Sequence, residues 1–161
     1  MRHRVVRRQQ GEHPIGLHSA GGIVLQGRGE ELRVAVMRSR YGTWVFPKGG
    51  VEKAEEPEGA ARRELSEEIG LTEVEPMGFI GTTQHEFERE GRCYRKRVDW
   101  FLFEAKAGVE CRANPEENAL DCGWFEPQQA LSLLSHPDQR RVLRRALRRL
   151  STLFHKYSDV L

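Results

Sequence analysis

An α/β fold, a mixed sheet packed between helices, is predicted by three features of the sequence. Stretches with strand character are interleaved with helical ones, without the strict βαβ alternation of a parallel sheet. Residues 57 to 69 carry the marks of a helix from start to stop. The length of 161 residues, with 38% hydrophobic and 31% charged side chains, suits one domain with its own core and leaves no room for two.

In chain order, residues 1 to 14 read as a polar, basic leader ahead of a single domain at 15 to 161. Ser19 to Gln26, with Ala-Gly-Gly-Ile-Val-Leu inside it, reads as a strand ended by the turn Gly27-Arg28-Gly29. Leu32, Val34 and Val36 alternate with Arg33, Ala35 and Met37, the period-2 sign of a second strand to Arg38. Trp44 to Phe46 is a short strand that Pro47 stops. Pro57 suits the first helical position, where its missing N–H is no loss. Glu55, Glu56 and Glu58 suit the positive end of the helix dipole, and Gly70 marks the stop. Ala61, Leu65 and Ile69, at i, i+4 and i+8, give this helix one apolar stripe. Strands follow at Val74 to Thr83, Tyr94 to Glu104 and Gly123 to Phe125, with a long irregular loop at 106 to 121. A brief helix is expected at 127 to 134. A longer one at 138 to 154 would bury Val142, Leu143, Ala146, Leu147 and Leu150.

The formal charge of +2 decides nothing about partners, but its distribution is uneven. Arg2, Arg4, Arg7 and Arg8 crowd the leader, Arg140, Arg141, Arg144, Arg145, Arg148 and Arg149 crowd the last helix, and most of the acid lies in residues 52 to 75. Solvated faces are the stronger reading of both basic ends, and a nucleic-acid contact the weaker. The leader is short and poor in serine, which gives a targeting role little weight. Cys93, Cys111 and Cys122 are odd in number and lack C-x-x-C spacing, which argues against a disulfide framework or a zinc site and for a reducing cytoplasm. No apolar run approaches the roughly 20 residues of a membrane span, so no membrane partner is expected. His3, His13, His18, His85, His136 and His155 show no metal-ligand spacing, and a structural role is the stronger reading even for His85. Trp124 and Phe125 read as core.

Glu64, Glu67 and Glu68, at i, i+3 and i+4, fall on one side of the 57–69 helix. Like charges at that spacing weaken a helix unless something neutralises them. A hard divalent cation does so, and clustered oxygens suit magnesium, with manganese as the alternative. Arg63 precedes Glu67 by four residues and can orient it. Alone, this cluster is more often an ordinary charged surface; its wider spacing decides otherwise. Residues 49 to 71 read G-G-V-E-K-A-E-E-P-E-G-A-A-R-R-E-L-S-E-E-I-G-L. Gly49, Glu55, Arg63, Glu64, Leu65, Glu67, Glu68, Gly70 and Leu71 match the pattern G-x5-E-x7-R-E-U-x-E-E-x-G-U (U bulky and aliphatic) at every specified position. With average residue usage, chance would produce this on the order of 10⁻⁸ to 10⁻⁷ times in such a chain.

That pattern is the box of the Nudix hydrolases, which the chain resembles over roughly residues 18 to 150. The resemblance implies an α/β/α sandwich with a mixed central sheet, and hydrolysis of a diphosphate linkage in a nucleotide or polyphosphate substrate. It implies one to three magnesium ions on Glu64, Glu67 and Glu68, helped by the Gly49 carbonyl, with Glu55 and Arg63 in support. A water activated by the metals would attack phosphorus, with Glu67 or Glu68 as base and the 116–117 acids as competitors. Trp-Val-Phe-Pro-Lys-Gly at 44 to 49 resembles the diadenosine polyphosphate branch, in which Lys48 would meet the phosphate chain. That branch often has a tyrosine where this chain has Phe87; Phe87 and the nearby Tyr94 are then the base-stacking candidates, and Glu117 a further substrate contact. Met37 to Tyr41 resembles the diphosphoinositol polyphosphate branch, where Arg38 and Arg40 would grip phosphate, a reading about even with a solvated strand end. Arg95, Lys96 and Arg97 form another basic cluster for the same cleft. A hydrolase of RNA 5′ ends stays open because its lead-in differs here mainly at Lys48, although a nucleic-acid partner is the weaker expectation. A non-catalytic nucleotide sensor ranks below these, since the box is intact.

Overall fold

The computed structural model describes residues 13 to 158, except the side chains of 153 to 158. The leader's arginines, His3 and the side chain of His155 therefore lie outside the described residues. Seven strands form one mixed sheet: β1 (Ile15–Gln26), β2 (Arg33–Ser39), β3 (Trp44–Val45), β4 (Lys48–Gly50), β5 (Val74–Arg89), β6 (Arg92–Ala105) and β7 (Ala119–Phe125). The helices are α1 (Pro57–Ile69), α2 (Pro127–Leu133) and α3 (Pro137–Ser158), with 3-10 turns at Gly29–Glu31 and Pro115–Glu117. The strand order is β3-β2-β1-β6-β5; β4 pairs with β1 and β7 with β2. Only β1 and β6 run parallel, in register from Ile15↔Tyr94 to Gln26↔Ala105, and the other pairs are antiparallel.

The expected sandwich is present. On one face Ala20, Val24, Ala35, Met37, Phe101 and Phe103 pack against Ala60, Ala61, Leu65 and Ile69 of α1. On the other, Ile23, Leu25, Val34, Val36, Trp100 and Leu102 pack against α2 and α3 through Ala130, Leu134, Val142, Leu143, Ala146 and Leu150. Both faces of β2 are thus covered, and its alternation separates two cores rather than core from solvent. Gly22 lets α1 approach the sheet, since a Cβ there would meet Leu65 Cδ1 at 2.7 Å. The helix runs over Pro57–Ile69 as the pattern predicts and ends on left-handed Gly70, φ 68°. Of the expected α3 stripe, Leu147 is half-buried and the other four are buried.

Several boundaries differ. β1 starts at Ile15, four residues early, because Ile15 to His18 bond to β6 while their side chains stay exposed and show no pattern. β5 and β6 extend past Thr83 and before Tyr94 into a two-stranded arm, whose polar sequence hides its strand character. Glu90 (φ 51°) and Gly91 (φ 75°) close it as a two-residue turn with both central residues left-handed. β7 starts at Ala119 rather than Gly123, α3 spans 137 to 158, and the glycine-rich β4 carries no hydrophobic signal.

Candidate active site

α1 projects Glu64 and Glu68 inward, both buried at 8% and 5% exposure, while Glu67 is half-exposed at the rim. β4 lies alongside: a Cβ on Gly49 would stand 2.1 to 2.6 Å from the Glu64 carboxylate. Only a glycine lets the backbone pass so close to that acid. Behind the helix, Arg63 distributes its guanidinium among the neighbouring acids. Nε donates to Glu55 Oε2 at 2.9 Å and Nη2 to Glu55 Oε1 at 3.1 Å and to the Gly50 carbonyl at 2.9 Å. Nη1 donates to Glu64 Oε1 at 2.9 Å and Glu67 Oε2 at 3.2 Å. Glu55, which also accepts from the Glu52 N–H at 3.1 Å, is held below the usual carboxylate range by these bonds, Arg63's first.

Glu68 is pushed the other way, up to about 9, by burial first and then by its hydrogen bond with and repulsion from Glu64. Lys48 partly offsets this and Glu117 adds to it. Two adjoining buried carboxylates of this kind make an oxygen donor set that fits a hard divalent cation. Among the described residues no group of three potential ligands stands together around one point; Glu67, at the rim, shares Arg63 Nη1 with Glu64.

The loop expected at 106 to 121 ends at Asn118, where β7 takes over, and it is firmly docked on the end of α1. Arg112 N donates to the Ile69 carbonyl at 2.8 Å, Asn114 N to that of Glu68 at 2.9 Å, and Asn114 Nδ2 to that of Glu67 at 3.2 Å. This docking anchors the loop that bears Glu117, whose charge adds to the rise at Glu68. It also fixes Asn118, whose Oδ1 accepts from Arg40 Nε at 2.8 Å. Arg40, exposed and over the Tyr41 ring at 5.9 Å, is thereby tied to the same rim. Arg38 lies at the end of β2, opposite Trp44 and Asp121.

On the far side of the acids stands a basic shelf. Lys96 is lowered to about 8 by burial first and by the charge of Lys48 next, with Glu68 opposing. His85, opposite Lys96 in register, is also lowered, by burial and then by both lysines. Beyond it Phe87 and Tyr94 stack at 5.3 Å and 16°, with Arg89 over the Phe87 ring at 5.4 Å. The Arg95–Lys96–Arg97 cluster is thus split by strand alternation, contrary to expectation. Arg95 pairs with Glu86 at 2.9 Å and Arg97 with Asp99 at 3.1 Å, which leaves Lys96 at the shelf.

The sequence did not single out Asn114, Asn118 or buried Asp99. Asp99 takes bonds from Thr82 Oγ1 at 2.8 Å and Arg97 and lies 2.7 Å from His18 Nε2. Burial alone would raise Asp99, but these partners outweigh it and hold the carboxyl below its ordinary value. No local signal marks such residues, since their partners come from distant segments. Trp124 and Phe125 behave as core: Trp124 packs on the α1-side cluster, and Phe125 meets Trp44 edge-on at 5.5 Å.

The NUDIX domain family model matches residues 16–146. An RNA pyrophosphohydrolase of Vibrio cholerae is 29% identical over 140 residues, covering 74% of this chain and 78% of that protein. One from Photobacterium profundum is 28% identical over 140 residues, covering 74% and 77%. In fold, the chain resembles an Ap4A hydrolase binary complex from C. elegans (TM-score 0.69, 19% identity, covering 84% of this chain and 98% of that one). It also resembles a NUDIX hydrolase from Listeria monocytogenes (TM-score 0.70, 17% identity, 87% and 96%).

Proposed function

The chain belongs to the Nudix family, as a hydrolase of pyrophosphate bonds, and from that premise we propose that it cleaves dinucleoside polyphosphates, diadenosine polyphosphates first among them. The observation that carries this reading is that Lys48 adjoins Gly49 at the Glu64 carboxylate, while Lys96 shares one face of β6 with Tyr94 of the stacked Phe87–Tyr94 pair. A phosphate chain crossing the lysines would place one anhydride at the acids and a base beside the rings.

Glu64 and Glu68, with the Gly49 carbonyl and Glu67, would hold the divalent cation, magnesium in this proposal. Bound there, it would acidify water and offset the charge growing on the phosphoryl oxygens. Arg63 holds Glu64 and Glu67 in place through its Nη1 hydrogen bonds. The proton of the attacking water passes to Glu67 or Glu68, and Glu117 closes the rim. Lys48 and Lys96 would hold the chain in line, with Arg40 and Arg38 as further phosphate contacts in this proposal. The site works in the cytoplasm on this reading, in keeping with three free cysteines.

A second reading, favoured by the relatives named RNA pyrophosphohydrolase, puts the 5′ phosphates of an RNA on the same shelf. Chromatography of products from diadenosine tetra-, penta- and hexaphosphate and from triphosphorylated RNA, with and without chelator, separates the two. ATP released from the diadenosine substrates and lost with chelator is expected; their resistance, with phosphate or pyrophosphate released from RNA, would replace the first reading with the second. Glu67→Gln should abolish turnover and spare binding, and unchanged turnover would remove Glu67 from the essential set.

A further inference from the structure

The arginines of α3 divide into two kinds. Arg145 Nη1 donates to the Ile80 carbonyl at 3.2 Å and Arg149 Nη1 to that of Phe79 at 2.6 Å, so these two clamp the helix to β5. Arg140 caps the Leu134 carbonyl at 2.6 Å. Arg141, Arg144 and Arg148 are exposed and pair with no carboxylate among the described residues. At i, i+3 and i+7 they form one stripe of about 10 Å at 1.5 Å per residue. After Asp138 the helix carries no acidic residue to its end. An ordinary solvated face interleaves acids, because like charges four apart, such as Arg141–Arg145 and Arg144–Arg148, oppose the helix.

The stripe also joins the candidate site. A groove of about 170 Å³ between α3 and β5 is lined by Thr82, Thr83, Gln84, Asp138, Arg141 and Arg145. Its next neighbour is His85, which senses Lys48, Lys96, Asp138 and His136. Positive groups therefore stand on both sides of His85, Lys96 opposite it in register and Arg141 and Arg145 on the groove, where Asp138 is the acid among the described lining residues.

We infer that this groove and stripe are a track for the phosphate backbone of a single-stranded RNA whose 5′ end occupies the candidate active site. The inference rests on the second reading above. Charge complementarity selects the occupant: a dinucleoside polyphosphate ends at the shelf, whereas an RNA continues into the groove, where regularly spaced phosphates meet regularly spaced guanidinium groups.

The test uses the full chain, the triple variant R141Q/R144Q/R148Q and its charge-keeping counterpart R141K/R144K/R148K. Binding of a 5′-hydroxyl RNA of about twelve nucleotides is measured against salt in chelator, where no hydrolysis occurs. Loss of three contacts should lower the salt slope by about 2, at 0.7 for each contact on a single strand, and the lysine variant should keep most of it. With triphosphorylated RNA of the same length, KM should rise about tenfold or more in the glutamine variant, against less than twofold for a diadenosine polyphosphate. Substitutions at these exposed positions should leave the fold intact, and matching thermal melts check this. Equal RNA binding by wild type and glutamine variant overturns the track, as does loss of binding to phosphatidylserine vesicles with RNA binding unchanged. RNA bound through the stripe but never cleaved leaves the track standing and overturns the RNA-cleavage reading instead.

Discussion

Arg63 joins three carboxylates and a backbone carbonyl through one planar guanidinium, a task for which lysine lacks the donors. Arg63→Ala should cost about 2 kcal/mol, the scale of one or two charge-assisted bonds, and so lower the melting midpoint by about 4 to 8 °C for a chain this size. It should also abolish most turnover, with Arg63→Lys recovering stability better than rate. A variant that melts like wild type would show that the network is slack. Asp99 supplies the pH dependence. Its folded carboxyl titrates below the ordinary 3.8, so its contribution is full above that value and is lost as pH falls through the lower one. Asp99→Asn should therefore destabilise the protein by about 1 to 3 kcal/mol at neutral pH, with the gap to wild type closing below about pH 4. Denaturant melts at several pH values measure it, and a gap independent of pH would refute the ion-paired role.

Among the elements, α1 was legible to the residue because its proline start, glycine stop and apolar stripe are all local to it. β4 was not, since Lys48–Gly50 earns its place only by pairing with Ser19–Gly21 of β1. That pairing presses Gly49 against Glu64, and the approach is testable. Gly49→Ala must displace the Glu64 carboxylate or the strand, and a misplacement of about 1 Å should cut kcat roughly 100-fold. Circular dichroism should be unchanged, and an active Gly49→Ala enzyme would show that the acid and the strand can separate at no cost. The arm of β5 and β6 escaped notice for a related reason: neither face of its tip is buried, so alternation has nothing to mark.

For the whole molecule, the candidate site lies where α1, the loop docked on it and the lysines of the sheet meet, and a cation bound there would tie these parts together. Magnesium at about 100 times its Kd should stabilise the fold by about 2.7 kcal/mol, or about 5 to 11 °C in midpoint. Glu68→Gln should melt no lower than wild type in chelator, because a carboxyl raised to about 9 is already uncharged at neutral pH and the amide keeps a donor for Glu64, and it should lose the magnesium shift. A shift retained in Glu68→Gln would exclude that side chain from the cation site.

By itself the sequence determined the family, the box, the helix that carries it and the two-sided sandwich, because these rest on local spacing and on burial periodicity. Only the tertiary structure decided which charges work together. It separated Lys96 from Arg95 and Arg97, joined Glu55, Glu64 and Glu67 on Arg63, docked the loop that bears Glu117 on α1, and left three arginines of α3 with no carboxylate partner among the described residues. Each outcome depends on where a strand's partner or a loop's anchor lies, tens of residues away in the chain, and short-range periodicity holds no record of that.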